Sequence, residues 1–173
     1  MGTERFGIIQ FGGVDQTVVG PDLAAGRKAP EFTATTQDWA EVQALSSTAG
    51  KARVLAAVPS LDTPVGDRET RRFNQEAVAL GEEVRILVIS TDLPYAQKRW
   101  CGAAGVEQVT TLSDHMRAEF GAKYGCLMKE KRLLRRAVFV VGRDDRIVYA
   151  AYMRALGDEP DYEAVLAAVR RAL

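Results

Sequence analysis

Sulfur and imidazole are scarce in this 173-residue chain: two cysteines, Cys101 and Cys126, and one histidine, His115. Two thiols are too few for a secreted disulfide framework, and a reducing cytoplasm is the expected compartment. A lone histidine leaves no histidine-rich metal site. Net charge is also missing, since 23 basic residues balance 23 acidic ones. No overall field then draws the chain to nucleic acid or to an anionic membrane. No apolar run approaches the ~18 residues of a membrane-spanning helix. The N-terminus, Met1 to Phe6, lacks the basic-then-apolar order of a signal peptide. It also lacks the Ser or Thr at the sixth position of a myristoylation site. Repeats, linkers and low-complexity segments are absent as well, so one domain spanning residues 1–173 is expected.

What remains is an ordinary globular composition, 47% hydrophobic and 27% charged. Phe6–Phe11 and Gln16–Val19 flank Gly12-Gly13-Val14-Asp15, which predicts an N-terminal hairpin within residues 1–20 and a loop of three to five residues. Phe32–Thr36 alternates weakly, as an edge strand does, and 39–45 predicts a short helical turn. The run Val54-Leu55-Ala56-Ala57-Val58 has no alternation and reads as a strand buried on both faces. Phe73, Ala77 and Leu80 recur at helical spacing over Asp67–Leu80, with Arg68, Arg71 and Arg72 on a solvated side. Val84–Ser90 predicts a central strand. Asp92 is the candidate N-cap of a helix with Pro94 in its first turn, carrying Tyr95 to Cys101 and ending at Gly102. A strand over Val109–Leu112 and a helix from His115 to Lys123 follow, the latter capped by Ser113-Asp114. Lys129–Arg136 reads as a basic loop, Ala137–Val141 and Ile147–Ala151 as a hairpin. A last helix opened by Pro160 carries a Tyr162, Val165, Leu166, Val169 stripe. Strands alternating with helices predict a layered α/β domain. Cys126 is expected to be a small buried side chain.

Between the buried strand and the first long helix lies Pro59-Ser60-Leu61-Asp62-Thr63-Pro64-Val65-Gly66. A strand, a proline-bracketed loop and a helix start bring backbone N–H groups to one point and favour anions there. Pro59-x-x-x-Thr63-x-x-Gly66 resembles the Pro-x-x-x-Thr-x-x-Cys loop of the peroxiredoxins. The wider string to Gln75 looks like their thiol peroxidase branch, the atypical two-cysteine members. The resemblance extends to Ser90–Gln97, to Arg99–Gly105 and to the tail Gly157–Glu163, covering essentially the whole chain. It implies a thioredoxin-like α/β fold with an N-terminal β-hairpin extension, and no cofactor. It implies a hydroperoxide as substrate, thioredoxin as electron donor and a homodimer.

Residue by residue, the resemblance makes Thr63 the hydroxyl that hydrogen-bonds thiolate and peroxide, and Pro59 the shield of that pocket. Arg136 becomes the cation that lowers the thiolate pKa, and Cys101 the resolving cysteine. Position 66, where the family has its peroxidatic cysteine, is glycine. Taken singly, these residues have plainer readings: Pro-x-x-x-Thr is a trivial pattern, Arg136 an exposed charge in a basic loop, and Cys101 a core thiol. His115 is given no catalytic part.

Three accounts of Gly66 stand open: an engineered or mis-recorded cysteine, a natural replacement in an inactive relative, or a shift of function. Retention of Thr63, Arg136 and Cys101, which would have little use without the attacking thiol, favours the first. Glycine at a helix start is tolerated, so the fold is expected to survive it. A non-catalytic thioredoxin-fold binding or redox-interaction module that keeps Cys101 for partner exchange is the rival reading.

Overall fold

The computed structural model describes residues 3–173; Met1 and Gly2, on which the myristoylation reading falls, lie outside the described residues. The chain begins with the antiparallel hairpin β1 (Glu4–Phe11) and β2 (Val14–Val19). Gly12 and Gly13 turn it with φ of 57° and 80°, so the connection is a tight two-residue turn, shorter than expected. β3 (Thr33–Thr35) and β4 (Glu41–Gln43) follow as a second antiparallel pair. Here two expectations change. Trp39 takes a left-handed φ of 68° and reverses the chain, so 41–43 returns as strand β4 rather than the helical turn expected over 39–45. That leaves β4 at the sheet edge and β3 inside it.

Next come β5 (Ala52–Ala57), α1 (Pro64–Leu80), β6 (Val84–Ser90), α2 (Pro94–Ala104), β7 (Thr110–Ser113) and α3 (Glu119–Lys123). The short strands β8 (Leu127–Met128) and β9 (Leu133–Leu134) lead to the hairpin β10 (Ala137–Val141) and β11 (Ile147–Tyr152), and α4 (Tyr162–Ala172) closes the fold. The main sheet runs β11-β10-β5-β6-β7-β3-β4, with β5, β6 and β7 parallel and antiparallel pairs on both flanks. The N-terminal hairpin makes a separate sheet with β8 and β9, so the basic stretch before Arg136 is partly strand. Among the described residues no helix is long and apolar enough to cross a membrane.

Alternate residues of β5 feed two cores. Val54 and Ala56 pack with Val88, Val138 and Phe73 of α1 and with Val165 and Val169 of α4. Leu55 and Ala57 pack with Ile89, Phe139, Phe120 and Tyr124 on the other face. A strand covered on both faces has no polar side to show, which is why its sequence is a solid apolar run. Cys126 lies wholly buried in the second core, and burial pushes its thiol up to about 12, the inert state expected of it.

Helix limits shift for local reasons. α1 begins at Pro64, three residues before Asp67, because Thr63 caps it. α2 passes through Gly102 and stops at Gly105, which takes the left-handed φ of 68° that ends a helix. α3 begins at Glu119 rather than His115; Asp114 reaches forward, its carboxylate accepting from the amides of Phe120 (3.1 Å) and Gly121 (2.8 Å). α4 is capped by Asp161, one residue after Pro160, and buries Val165, Leu166 and Val169 as the stripe predicted.

Candidate active site

The carboxyl end of β5 delivers the chain to the candidate loop. The Val58 amide still donates to Ile89 of β6 (3.0 Å), and Pro59 behind it is buried. Thr63 leaves the helix in extended conformation and its Oγ1 accepts from the Gly66 amide at 3.0 Å. The same hydroxyl donates to the Ser60 carbonyl at 3.1 Å. Pro64 occupies the first helical position, where a missing N–H costs nothing. Residue 66 is therefore the third residue of α1, and the Thr-x-x spacing is a capping spacing.

Gly66 is buried, and it is more than tolerated. A methyl group on its Cα would fall on the Ser60 carbonyl oxygen, deep inside van der Waals contact, and 2.8 Å from Thr63 Oγ1. The loop has closed into the space that a side chain at 66 would need.

Arg136 is not an exposed charge. It is 1% exposed, donating from Nη1 to Glu69 Oε1 at 2.8 Å and from Nε to the Leu156 carbonyl at 3.0 Å. Glu69 is fully buried on α1, three residues after Gly66, so Arg136 reaches the first turns of that helix through this carboxylate. Burial pushes the Glu69 carboxyl up to about 7, with Arg136 pulling the other way. Its Oε2 has no hydrogen-bond partner among the described residues. Sequence reasoning missed Glu69; its i+3 offset from residue 66, on the same helix face, was the available signal.

Cys101 lies buried in the last turn of α2, its Sγ 4.0 Å from Thr111 Oγ1, which itself accepts from Gln37 (2.6 Å). Burial pushes this thiol up. The next-door Trp100 donates from Nε1 to Asp67 at 3.1 Å, and Arg71 donates to the same carboxylate at 2.6 Å. The Arg71 bond, with Trp100 adding to it, holds the Asp67 carboxyl below its usual range. The chain neighbours of residues 66 and 101 are thus hydrogen-bonded to each other. Asp92 does not cap α2; Leu93 holds that position without a side-chain bond. The Asp92 carboxylate turns instead to the loop, accepting from Ser60 Oγ (2.7 Å), the Leu61 amide (2.9 Å) and Ser90 Oγ (2.7 Å). Between loop and α2 opens a groove of about 470 Å³, lined by Leu61, Asp92, Ala96, Arg99, Trp100 and Ala103.

The redoxin family model matches residues 24–166. A thiol peroxidase of Oceanobacillus iheyensis is 52% identical over 150 residues, covering 87% of this chain and 90% of that protein. The chain belongs to the redoxins, among the thiol peroxidases. A thiol peroxidase of Bacillus subtilis is 44% identical over 162 residues, 94% of this chain and 96% of the relative. Among solved structures, a peroxiredoxin-like protein from Aquifex aeolicus superposes with a TM-score of 0.86 at 35% identity, covering 99% of this chain and 100% of its own. The fold is thus thioredoxin-like, as in other peroxiredoxins. Within this thiol peroxidase framework, Thr63 and residue 66 are in direct contact, Arg136 joins through Glu69, and Cys101 joins through Trp100 and Asp67.

Two outcomes test the geometry. Gly66→Ala should destabilise the chain by about 1–3 kcal/mol, the range for inserting atoms into packed space, measured by urea unfolding. At an open helix position the same change gains roughly 0.5–1 kcal/mol, so a gain here would show that the loop does not pack on the glycine. The Glu69 carboxyl is raised from its ordinary 4.5 to about 7. Its contribution is then complete below pH 4.5 and lost as pH rises through about 7. The stability advantage over Glu69→Gln should fall by up to about 3 kcal/mol between pH 5 and 8. A difference that stays flat over that range would contradict the raised carboxyl.

Proposed function

We propose that the chain is a thiol-dependent peroxidase scaffold coupled to thioredoxin, with the attacking sulfur absent from position 66. The supporting observation is the meeting of two helix ends: Thr63 caps α1 on the amide of residue 66, and Asp67 bonds the Trp100 beside Cys101. With a cysteine at 66, its thiolate attacks one oxygen of a hydroperoxide and the O–O bond breaks. The sulfur keeps that oxygen as a sulfenic acid, losing two electrons, while the alkoxide or hydroxide leaves and takes up a proton. The Cys101 thiol then displaces water from the sulfenic acid, closing a disulfide that the thioredoxin dithiol reduces. The start of α1 and Arg136 favour the anionic sulfur, Thr63 holds its hydrogen bond, and Pro59 keeps water off the pocket. The substrates are hydrogen peroxide and organic hydroperoxides, and a reducing cytoplasm suits two free thiols. We take residues 1–173 as one domain, with the hairpin as its extension.

A second reading, a non-catalytic thioredoxin-fold module exchanging partners at Cys101, draws on the Ser60 carbonyl that fills the side-chain space at 66. Against it stands the burial of Cys101 and its raised thiol, which oppose exchange until α2 opens.

A homodimer is part of the proposal. The exposed rings of Trp39 and Tyr95 lie 5.2 Å apart, with the Trp39 ring 5.4 Å from His115, and the exposed Leu93 and Met116 stand close to them in sequence. Exposed aromatics gathered this way suit the buried centre of an interface.

Gly66→Cys should consume hydroperoxide with thioredoxin and its reductase, whereas the glycine chain should not. Adding Cys101→Ser should remove the thioredoxin-coupled turnover. A folded Gly66→Cys protein that gains no turnover would sink the peroxidase reading. Sedimentation should give twice the 18.9 kDa chain mass at micromolar concentration, and Tyr95→Glu should give the single mass. A monomer before the substitution would refute the dimer.

A further inference from the structure

One peptide group decides whether position 66 is open or closed. The Ser60 carbonyl points at Gly66 and Thr63, and the amide of the same peptide unit, on Leu61, donates to Asp92 at 2.9 Å. In a trans peptide the C=O and N–H point in opposite directions. A hydrogen bond that fixes the N–H therefore also aims the carbonyl, and Asp92 aims it at residue 66. The carboxylate is held in turn: it accepts from Ser60 Oγ and Ser90 Oγ, both at 2.7 Å, and the Asp92 carbonyl accepts from Ser113 Oγ at 2.5 Å. Ser90 Oγ also accepts from the buried Gln97 of α2 at 3.0 Å, and Gln97 donates on to the Leu112 carbonyl. Loop, strand end and the helix that carries Cys101 thus converge on one half-buried carboxylate. Three donors meet its two oxygens, the Leu61 amide and Ser90 Oγ at one and Ser60 Oγ at the other, and an alanine in its place would leave all three without that acceptor.

We propose that Asp92 is a positioning residue that latches the Ser60–Leu61 peptide with its carbonyl over position 66. Its release frees the loop beside the helix bearing Cys101. Residue 66 and Cys101 are both buried, so thioredoxin reaches a disulfide between these positions only through such a local opening. This last consequence rests on the peroxidase reading; the latch does not.

The test begins with the chain as it is. In Asp92→Ala, amide hydrogen exchange at Leu61 should rise about tenfold or more, the scale of one lost hydrogen bond to a charged group, while amides of β6 keep their rates. In Gly66→Cys, adding Asp92→Ala should speed alkylation of the introduced thiol by a similar factor. Should Asp92→Ala not fold, Ser60→Ala removes one donor and leaves the carboxylate, with about a threefold rise at Leu61 expected. Unchanged Leu61 exchange, or a rise spread evenly over the sheet, overturns the latch. A Gly66→Cys protein that reacts with the alkylating reagent yet consumes no hydroperoxide defeats the peroxidase reading and leaves the latch standing.

Discussion

The contact on which the rest depends is the Thr63 hydroxyl between the Gly66 amide and the Ser60 carbonyl. β5 is covered on both faces, so its chain must leave the sheet at the carboxyl end, where parallel α/β sheets gather their sites. It must then start a helix within a few residues, and every helix start leaves unsatisfied amides. Thr63 satisfies one of them and takes hold of the incoming loop with the same oxygen. Because the carbonyl it holds sits against residue 66, loop closure, helix capping and the missing side chain are one arrangement.

Electrostatics keep this arrangement quiet. Both thiols are buried and raised, Cys126 within the core and Cys101 in the last turn of α2, where the helix dipole also disfavours a thiolate. Arg136 is paired with Glu69 of α1, almost wholly out of water. Such a pair gains little net stability against its desolvation and serves better to fix geometry. Here it ties β10 to the first turns of α1. The closed molecule therefore presents no reactive sulfur, and any thiol chemistry belongs to an opened state.

Much of this was legible in the residues. The solid run at Val54–Val58 announced a doubly covered strand, and the stripe at Val165, Leu166 and Val169 announced the face of α4, because burial writes periodicity into sequence. The family motif pointed to Thr63, residue 66, Arg136 and Cys101. What stayed hidden depends on partners far along the chain. Nothing around Trp39 signals a left-handed turn that makes 41–43 a strand. Asp92 before a proline reads as a cap, and only the fold brings the Ser60–Leu61 peptide within reach of its carboxylate. Arg136 sits in a run of arginines and lysines, and its burial follows from Glu69, 67 residues away. Glu69 itself looks like one more surface acid on a charged helix.

The same contacts reopen the meaning of Gly66. Retention of the neighbours pointed to a cysteine only if they had no other work. Thr63 caps α1, Arg136 neutralises a buried carboxylate, and Cys101 fills space among Phe73, Val88 and Val106. Each is held by the fold whether or not sulfur stands at 66, since removing it would leave an orphan amide, an unpaired buried charge or a cavity. A chain without the attacking thiol can therefore keep the whole surrounding set, and the glycine leaves room for the Ser60 carbonyl against it. A capping role alone is enough to keep this motif, so its presence is evidence of descent, and activity has to be decided at the sulfur that residue 66 lacks.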